Sequence, residues 1–301
     1  MQPLDVAVLR TLIYADVFDF AMTPAEIHRY LIHDRAVDFD SIAHTLAHSD
    51  MLKPYLLREG AWVALRPELF ALRREREQFA ARLWQQAEQW GARLASVPFV
   101  RAVGVTGALA VDNPTHPDDD LDYLLITQAG RVWLARALAI VWVRVGRLRG
   151  VEICPNFVLA DDVLAQSRRD LYVAHEITQT VPLFGEALCA ALYTQNAWLR
   201  AYLPNANARS RAVSVQARRP LKTLGEYLLR GRMGDALERW ERERKRQRLL
   251  RQQTTTSAAT LDPSQVKGHF NDHGARVLNV YRERLRAYGL TDVNSGEQAA
   301  D

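Results

Sequence analysis

The chain has 301 residues, 48% hydrophobic and 25% charged, with a net charge of +4 and a pI near 9.2; this excludes a disordered chain, supports about two domains with real cores, and gives too small a charge excess to indicate a nucleic acid. Only Cys154 and Cys189 are present, without metal-ligand spacing, which fits a reducing cytoplasm and gives no disulfide framework. The most apolar stretch, Val132 to Val145, is broken by Arg136 and Arg144, so a soluble cytoplasmic chain without a membrane partner is expected.

Residues 5 to 18 carry Val6, Leu9, Leu12 and Ile13 at helical spacing. Thr23-Pro24-Ala25-Glu26 is a capping box with proline at the first helical position, and it predicts a second helix to about Ile32. A third helix is expected over Ser41 to His48, and two short strands over Tyr55 to Leu65, turning at Glu59-Gly60. Residues 1–66 therefore have the outline of a winged helix, but with six basic and nine acidic side chains. The presumed recognition helix and its approach offer Asp38, Asp40, Ser41, His44, His48 and Asp50. Phosphate would be repelled there, so DNA is an unfavoured partner and docking of a protein partner is the better reading.

Residues 67–97 form a connector, predicted as one long helix with Leu69, Leu72, Phe79, Leu83, Ala87 and Trp90 on one side. From residue 98 to 161 the pattern alternates. A valine-rich strand over Phe99 to Val105 enters a turn at Thr106-Gly107, a short helix covers Ala108 to Val111, and a second strand covers Leu121 to Thr127. An apolar helix over Arg131 to Arg147 and a third strand over Val151 to Leu159 follow. The remainder, 162–290, reads as helical, over Asp170 to Thr180, Glu186 to Leu203, Leu221 to Gln252 and Pro263 to Tyr288, with a break at Thr254-Thr255-Thr256-Ser257. Residues 291–301 read as a disordered tail. The fold class expected is α+β: a small mixed sheet with flanking helices, a winged-helix-like front and a helical C-terminal region.

Asp120 and Asp122 flank Leu121 at a strand entrance, so both carboxylates face one side, about 6.6 Å apart along the strand, while Leu121 faces the core. Asp118 and Asp119 stay in the preceding loop, because Tyr123-Leu124-Leu125-Ile126 must be strand interior. Upstream, Gly107 ends a strand before a helix start, where a missing Cβ lets phosphate approach backbone amides. Paired carboxylates opposite such a turn suit phosphoryl or nucleotidyl transfer, in which Mg2+ bridges phosphate oxygens.

A glycine, a small residue, a gap and then Asp-hydrophobic-Asp-hydrophobic resembles the polymerase-beta-like nucleotidyltransferase superfamily over about Phe99 to Leu159. The phrase Thr11-Leu12-Ile13-Tyr14-Ala15-Asp16-Val17-Phe18-Asp19 is similar to bacterial proteins known only as nucleotidyltransferase domain proteins. The resemblance implies that Asp120 and Asp122 bind Mg2+, with Mn2+ as a substitute, and that Gly107 approaches the triphosphate of an NTP, ATP by preference. It also implies a third carboxylate on the next strand, for which Glu152 is the candidate. Asn156 shares a strand face with Glu152 and Cys154 by period two and would line the same cleft. The family's serine after the glycine is here Ala108, with Thr106 the nearest hydroxyl. The implied activity is transfer of an NMP to a hydroxyl of an unidentified small-molecule or protein acceptor. The alternative is a weak or inactive nucleotide-binding regulatory module acting through partner docking.

Other clusters have plainer readings. Glu238 to Arg251, with ten of fourteen residues charged, reads as a solvated helix of i,i+4 pairs, with RNA or another polyanion the weaker reading. His269, Asn271, Asp272 and His273 read as helix-end polarity, and His175-Glu176 as a pair packed against the sheet. Arg218 and Arg219 lie near a domain junction, where they would contact nucleotide phosphates.

Overall fold

A computed structural model of the chain describes residues 2–210, 214–250, 263–267 and 273–292. The N-terminal part contains α1 (Pro3–Asp16), α2 (Pro24–Arg29) and α3 (Phe39–His48), followed by an antiparallel hairpin of β1 (Leu57–Glu59) and β2 (Trp62–Ala64). The capping box is present: the Thr23 amide donates to Glu26 at 2.7 Å, and the Glu26 amide donates to Thr23 Oγ1 at 3.2 Å. The second helix stops at Arg29, short of the expected Ile32. The Ile32 amide instead donates to Thr11 Oγ1 on α1 at 2.9 Å, a tertiary bond that takes the place of another helical turn.

The connector is α4 (Glu68–Ala95), and the sheet that follows is mixed, in the order β6-β3-β4-β5-β7. It is built from β3 (Val100–Val105), β4 (Leu121–Thr127), β5 (Ile153–Ala160), β6 (Val181–Phe184) and β7 (Gln265–Lys267). β4 and β5 run parallel across the helix α6 (Val132–Arg147), whereas β3 is antiparallel to both β4 and β6. The four-residue α5 (Gly107–Ala110) follows β3.

The period of two along β4 divides the molecule into layers. Leu121, Tyr123 and Leu125 pack with Trp90 of α4 and Trp133 of α6, while Leu124 and Ile126 face a second core shared with α1, α2, α7 (Leu171–Gln179), α8 (Glu186–Gln195) and α11 (His273–Ala287). The N-terminal helices thus bury their apolar side against the same core as one face of the sheet. Each fully buried Leu or Ile there contributes about 1.5–3 kcal/mol of transfer free energy. Ion pairs fix the outer seam: Arg66 pairs with Asp16 at 2.7 Å and Asp19 at 2.5 Å, and Arg284 of α11 also reaches Asp16.

The expectation of helix alone after residue 161 is corrected by β6 and β7. Val181-Pro182-Leu183-Phe184 pairs with β3, and Gln265-Val266-Lys267 pairs with β5, because both sheet edges offered unpaired backbone groups that short segments satisfy. Two of the long helices are also divided. Asn196 stops α8 by using its side chain to hold the Gln166 amide at 2.7 Å and the Leu164 carbonyl at 2.9 Å. The expected Leu221 to Gln252 helix is α9 (Arg219–Leu229) and α10 (Gly231–Leu250), separated by Arg230, with a left-handed Gly231 opening α10. The Thr254 to Ser257 break and residues 293–301 of the tail lie outside the described residues.

The charged α10 is docked on one side rather than solvated all round. Glu238 is buried and accepts from the Trp133 and Leu134 amides at 3.0 and 2.7 Å, capping the first turn of α6, and Glu241 is buried in a pair with Arg244 at 2.6 Å. Among the described residues no helix is long and apolar enough to cross a membrane.

Candidate active site

The site begins where β3 leaves the sheet. The Thr106 amide donates to the Asp122 carbonyl at 3.0 Å, holding the turn beside β4, and Gly107 then takes φ +68°, the left-handed region that favours glycine. A Cβ on Gly107 would collide with the Asp122 carboxylate. The space left by the missing side chain is therefore filled by Asp122, not held open for a phosphate. Amides of the first turn of α5, at Gly107 and Ala108, lack intrahelical partners by construction. Ala108 is exposed, and the Thr106 hydroxyl does not cap the helix.

Asp120 and Asp122 are brought together with Cys154, their ligand atoms all within 4.8 Å of one another. The third place in the cluster is therefore taken by Cys154 and not by Glu152. Glu152 lies just before β5, where its carbonyl accepts from the Leu121 amide at 2.9 Å and its exposed carboxylate pairs with Arg147 at 2.8 Å. Cys154 and Asn156 do meet Asp122, but Glu152 lies outside the strand and is held by Arg147 at the end of α6, away from the cluster.

Asn156 does reach the cleft. Its Nδ2 donates to Asp122 Oδ1, and its Oδ1 accepts from the Cys154 thiol at 2.7 Å. The pairing of β4 with β5 shifts between Asp122 opposite Cys154 and Leu124 opposite Phe157, so β5 carries an extra residue there. Asn156 stays on the Asp122 side, and Phe157 beyond the bulge turns to the same face as Leu124.

Burial pushes the Asp122 carboxyl well above the usual carboxylate range, and the charges of Asp120, Glu176 and Asp119 push it the same way. Burial, followed by the charges of Asp122 and Asp120, pushes the Cys154 thiol up to about 12. Cys154 is thus a protonated donor to Asn156, which leaves two carboxylates as ligand groups. That donor set fits a hard cation such as Mg2+ or Mn2+, and a cation between the two carboxylates would offset the repulsion that raises Asp122.

Glu176 is the functional candidate that the sequence reading missed. It stands on α7, its charge acts on Asp122, and it is hydrogen-bonded to Tyr172. Its neighbour His175, expected to pack against the sheet, is buried and stacks instead on Tyr14 of α1 with ring centroids 4.2 Å apart, and it is neutral because burial lowers its pKa to about 3. The available signal was the helical phase of α7, but no rule of spacing told which side of that helix meets β4.

Between the N-terminal helices and the sheet lies a cavity of about 610 Å³. Thr106, Gly107, Ala108, Asp122, Asn156 and Glu176 form its polar wall, and α1, α7 and the Phe18 to Met22 segment supply most of an apolar one. The loop after α5 is tied into this boundary. Asn113 Nδ2 donates to the Phe18 carbonyl at 3.0 Å, Arg76 Nη1 donates to Asn113 Oδ1 at 3.0 Å, and the Trp84 indole donates to Asp112 at 2.7 Å.

Arg218 and Arg219 are exposed at the start of α9 and do not line this cavity. His273 lines it together with Arg276, whereas His269, Asn271 and Asp272 lie outside the described residues. Comparison of the chain with protein-family models, with curated proteins and with solved structures finds no match in any of the three.

Proposed function

We propose that this chain is a nucleotidyltransferase that moves an NMP from an NTP, ATP by preference, to a hydroxyl group of an acceptor. The observation that carries the proposal is the convergence of Asp120 with Asp122, the latter lining a cavity whose wall also includes the Thr106-Gly107-Ala108 turn. Asp120 and Asp122 would hold Mg2+, which when bound supplies charge neutralisation on the phosphates.

The protein's own groups do the rest. Asn156, steadied by the Cys154 thiol, fixes the Asp122 carboxylate. The amides of Gly107 and Ala108 receive phosphate oxygens. Glu176, on the cavity wall, takes the role first expected of Glu152. The acceptor oxygen bonds to the α-phosphorus, the bond from that phosphorus to the bridging oxygen breaks, pyrophosphate leaves, and the hydroxyl proton passes to Glu176. The N-terminal helices, winged-helix in outline, serve as a wall of the site rather than as a DNA reader, since α3 presents Asp40, His44 and His48.

Calorimetry of ATP with Mg2+ on the wild type and on Asp122→Asn tests the reading without knowledge of the acceptor. The affinity of wild type should fall at least about tenfold in the variant, about 1.4 kcal/mol; equal affinities would remove the metal-site assignment. A second reading, nucleotide sensing without turnover, is motivated by Ala108 in place of a hydroxyl-bearing residue. Incubation with each labelled NTP and cell extract separates the two, because label transfer abolished by Asp120→Ala excludes a purely sensory role.

A further inference from the structure

The cavity beside the acidic pair is large, and most of its wall is apolar. Its volume of about 610 Å³ falls in the range of sites that enclose small organic molecules. Tyr14, Phe18, Phe20 and Met22 form one side, from α1 and the turn that follows it, and Leu124 and Phe157 form the sheet side. Among the described residues no Lys lines it, and Arg276 is the one Arg that does. His175, which also lines it, is uncharged, stacked on Tyr14 and tilted against Tyr30. Among the described residues, the formal charges on the wall other than Arg276 are the carboxylates of Asp122 and Glu176, and both belong to the polar side.

From this wall we infer that the acceptor is a small, uncharged molecule with an apolar ring body and a hydroxyl group, held by the aromatic lining with its hydroxyl toward Asp122 and Glu176. The inference rests on the proposed nucleotidyl transfer for the word acceptor, but the apolar site itself does not. Sugars, polyols and anionic acceptors are disfavoured, because an aromatic and aliphatic wall would strip their hydration without returning hydrogen bonds. A protein side chain is disfavoured because the lining lies between packed layers of the fold instead of on an open surface. The favourable term is burial of ring surface against Tyr14, Phe20 and Phe157, with ring contacts adding to plain area.

The test uses 2-(2-naphthyl)ethanol as probe and glucose as polar comparator, by calorimetry at several temperatures on the full chain. The naphthyl alcohol should bind one to one, with a binding enthalpy that grows more negative as temperature rises, the mark of apolar burial. Glucose should not bind. Ala15→Phe on α1 and Val173→Phe on α7 each place a ring in the cavity from a different element, and each should weaken the probe at least about tenfold. ATP affinity with Mg2+, measured on the same variants, should stay within about twofold of wild type, since neither residue belongs to the polar wall. A probe that fails to bind the wild type, or that binds both fillers as well as the wild type, overturns the inference. If the probe binds and ATP with Mg2+ does not, the apolar site stands and the transfer reading fails; if ATP binds and the probe does not, the reverse holds. Should one filler lose its cooperative melting transition, the other decides.

Discussion

Replacing Gly107 by alanine probes the contact on which the acidic pair depends, and Gly130→Ala supplies a matched control. Both glycines have left-handed backbones, φ +68° and +71°, so an alanine at either costs about 1–2 kcal/mol from conformation alone. Their surroundings differ. A Cβ at Gly130 meets nothing within 4 Å, whereas one at Gly107 would lie 3.1 Å from Asp122 Cγ and 3.2 Å from its Cβ, and closer still to Oδ2. Overpacking of that kind adds about 1–3 kcal/mol. Denaturant unfolding should therefore show a loss of about 1–2 kcal/mol for Gly130→Ala and about 2–5 kcal/mol for Gly107→Ala. Relief of the clash also turns the Asp122 carboxylate away from Asp120, so ATP affinity with Mg2+ should fall for Gly107→Ala alone. Equal stability losses, or unchanged ATP binding in Gly107→Ala, would refute the view that this glycine exists to admit Asp122.

Further outcomes follow from the same geometry. A carboxyl raised in the folded state, as Asp122 is by burial and by Asp120, binds more protons folded than unfolded; its stabilising share is present below the unfolded pKa of about 3.9 and is lost as pH rises through the folded value. Without divalent cations Asp122→Asn should thus melt higher than wild type at pH 7, with the gain vanishing near pH 4; a lower melting temperature at pH 7 would contradict the assigned burial. Glu238→Ala strands the buried amides of Trp133 and Leu134, an expected loss of about 2–4 kcal/mol in chemical denaturation, and a loss under about 0.5 kcal/mol would show that α10 does not cap α6. Once an acceptor is in hand, Glu176→Gln should lower kcat at least about a hundredfold, in keeping with loss of a general base. Glu152→Gln, which breaks only an exposed pair with Arg147, should leave kcat within about twofold; a reversal of the two would restore Glu152 to the site.

The local chemistry of this chain was legible in its residues. The capping box at Thr23, the short strand at Leu121 to Thr127 and the same-face placement of Asp120 and Asp122 follow from spacing, because capping and strand alternation act over two to four residues. Gly107 was recognised as a special turn, again a local property of a residue without a Cβ. What fills the space beside it was not local. Asp122 enters it from a strand fifteen positions along the chain, and only the pairing of β3 with β4 decides that.

The same division explains the misses. β6 and β7 form because edge strands elsewhere in the chain present unpaired backbone groups, and the segments that answer them are three and four residues long, too short to carry a period of their own. Glu152 was expected on the strand beside Asp122, yet it precedes β5 and Arg147 at the end of α6 holds it outside the acidic cluster. Glu176 and the aromatic wall come from α7 and α1, whose helical phases state that they have a buried side but not what that side meets. Sequence by itself thus determined the acidic pair, its turn and the α+β character of the chain, through forces that act between near neighbours. Tertiary structure alone decided that Asp122 borders an apolar cavity and that Glu176 lines it too, since packing joins residues that no spacing along the chain relates.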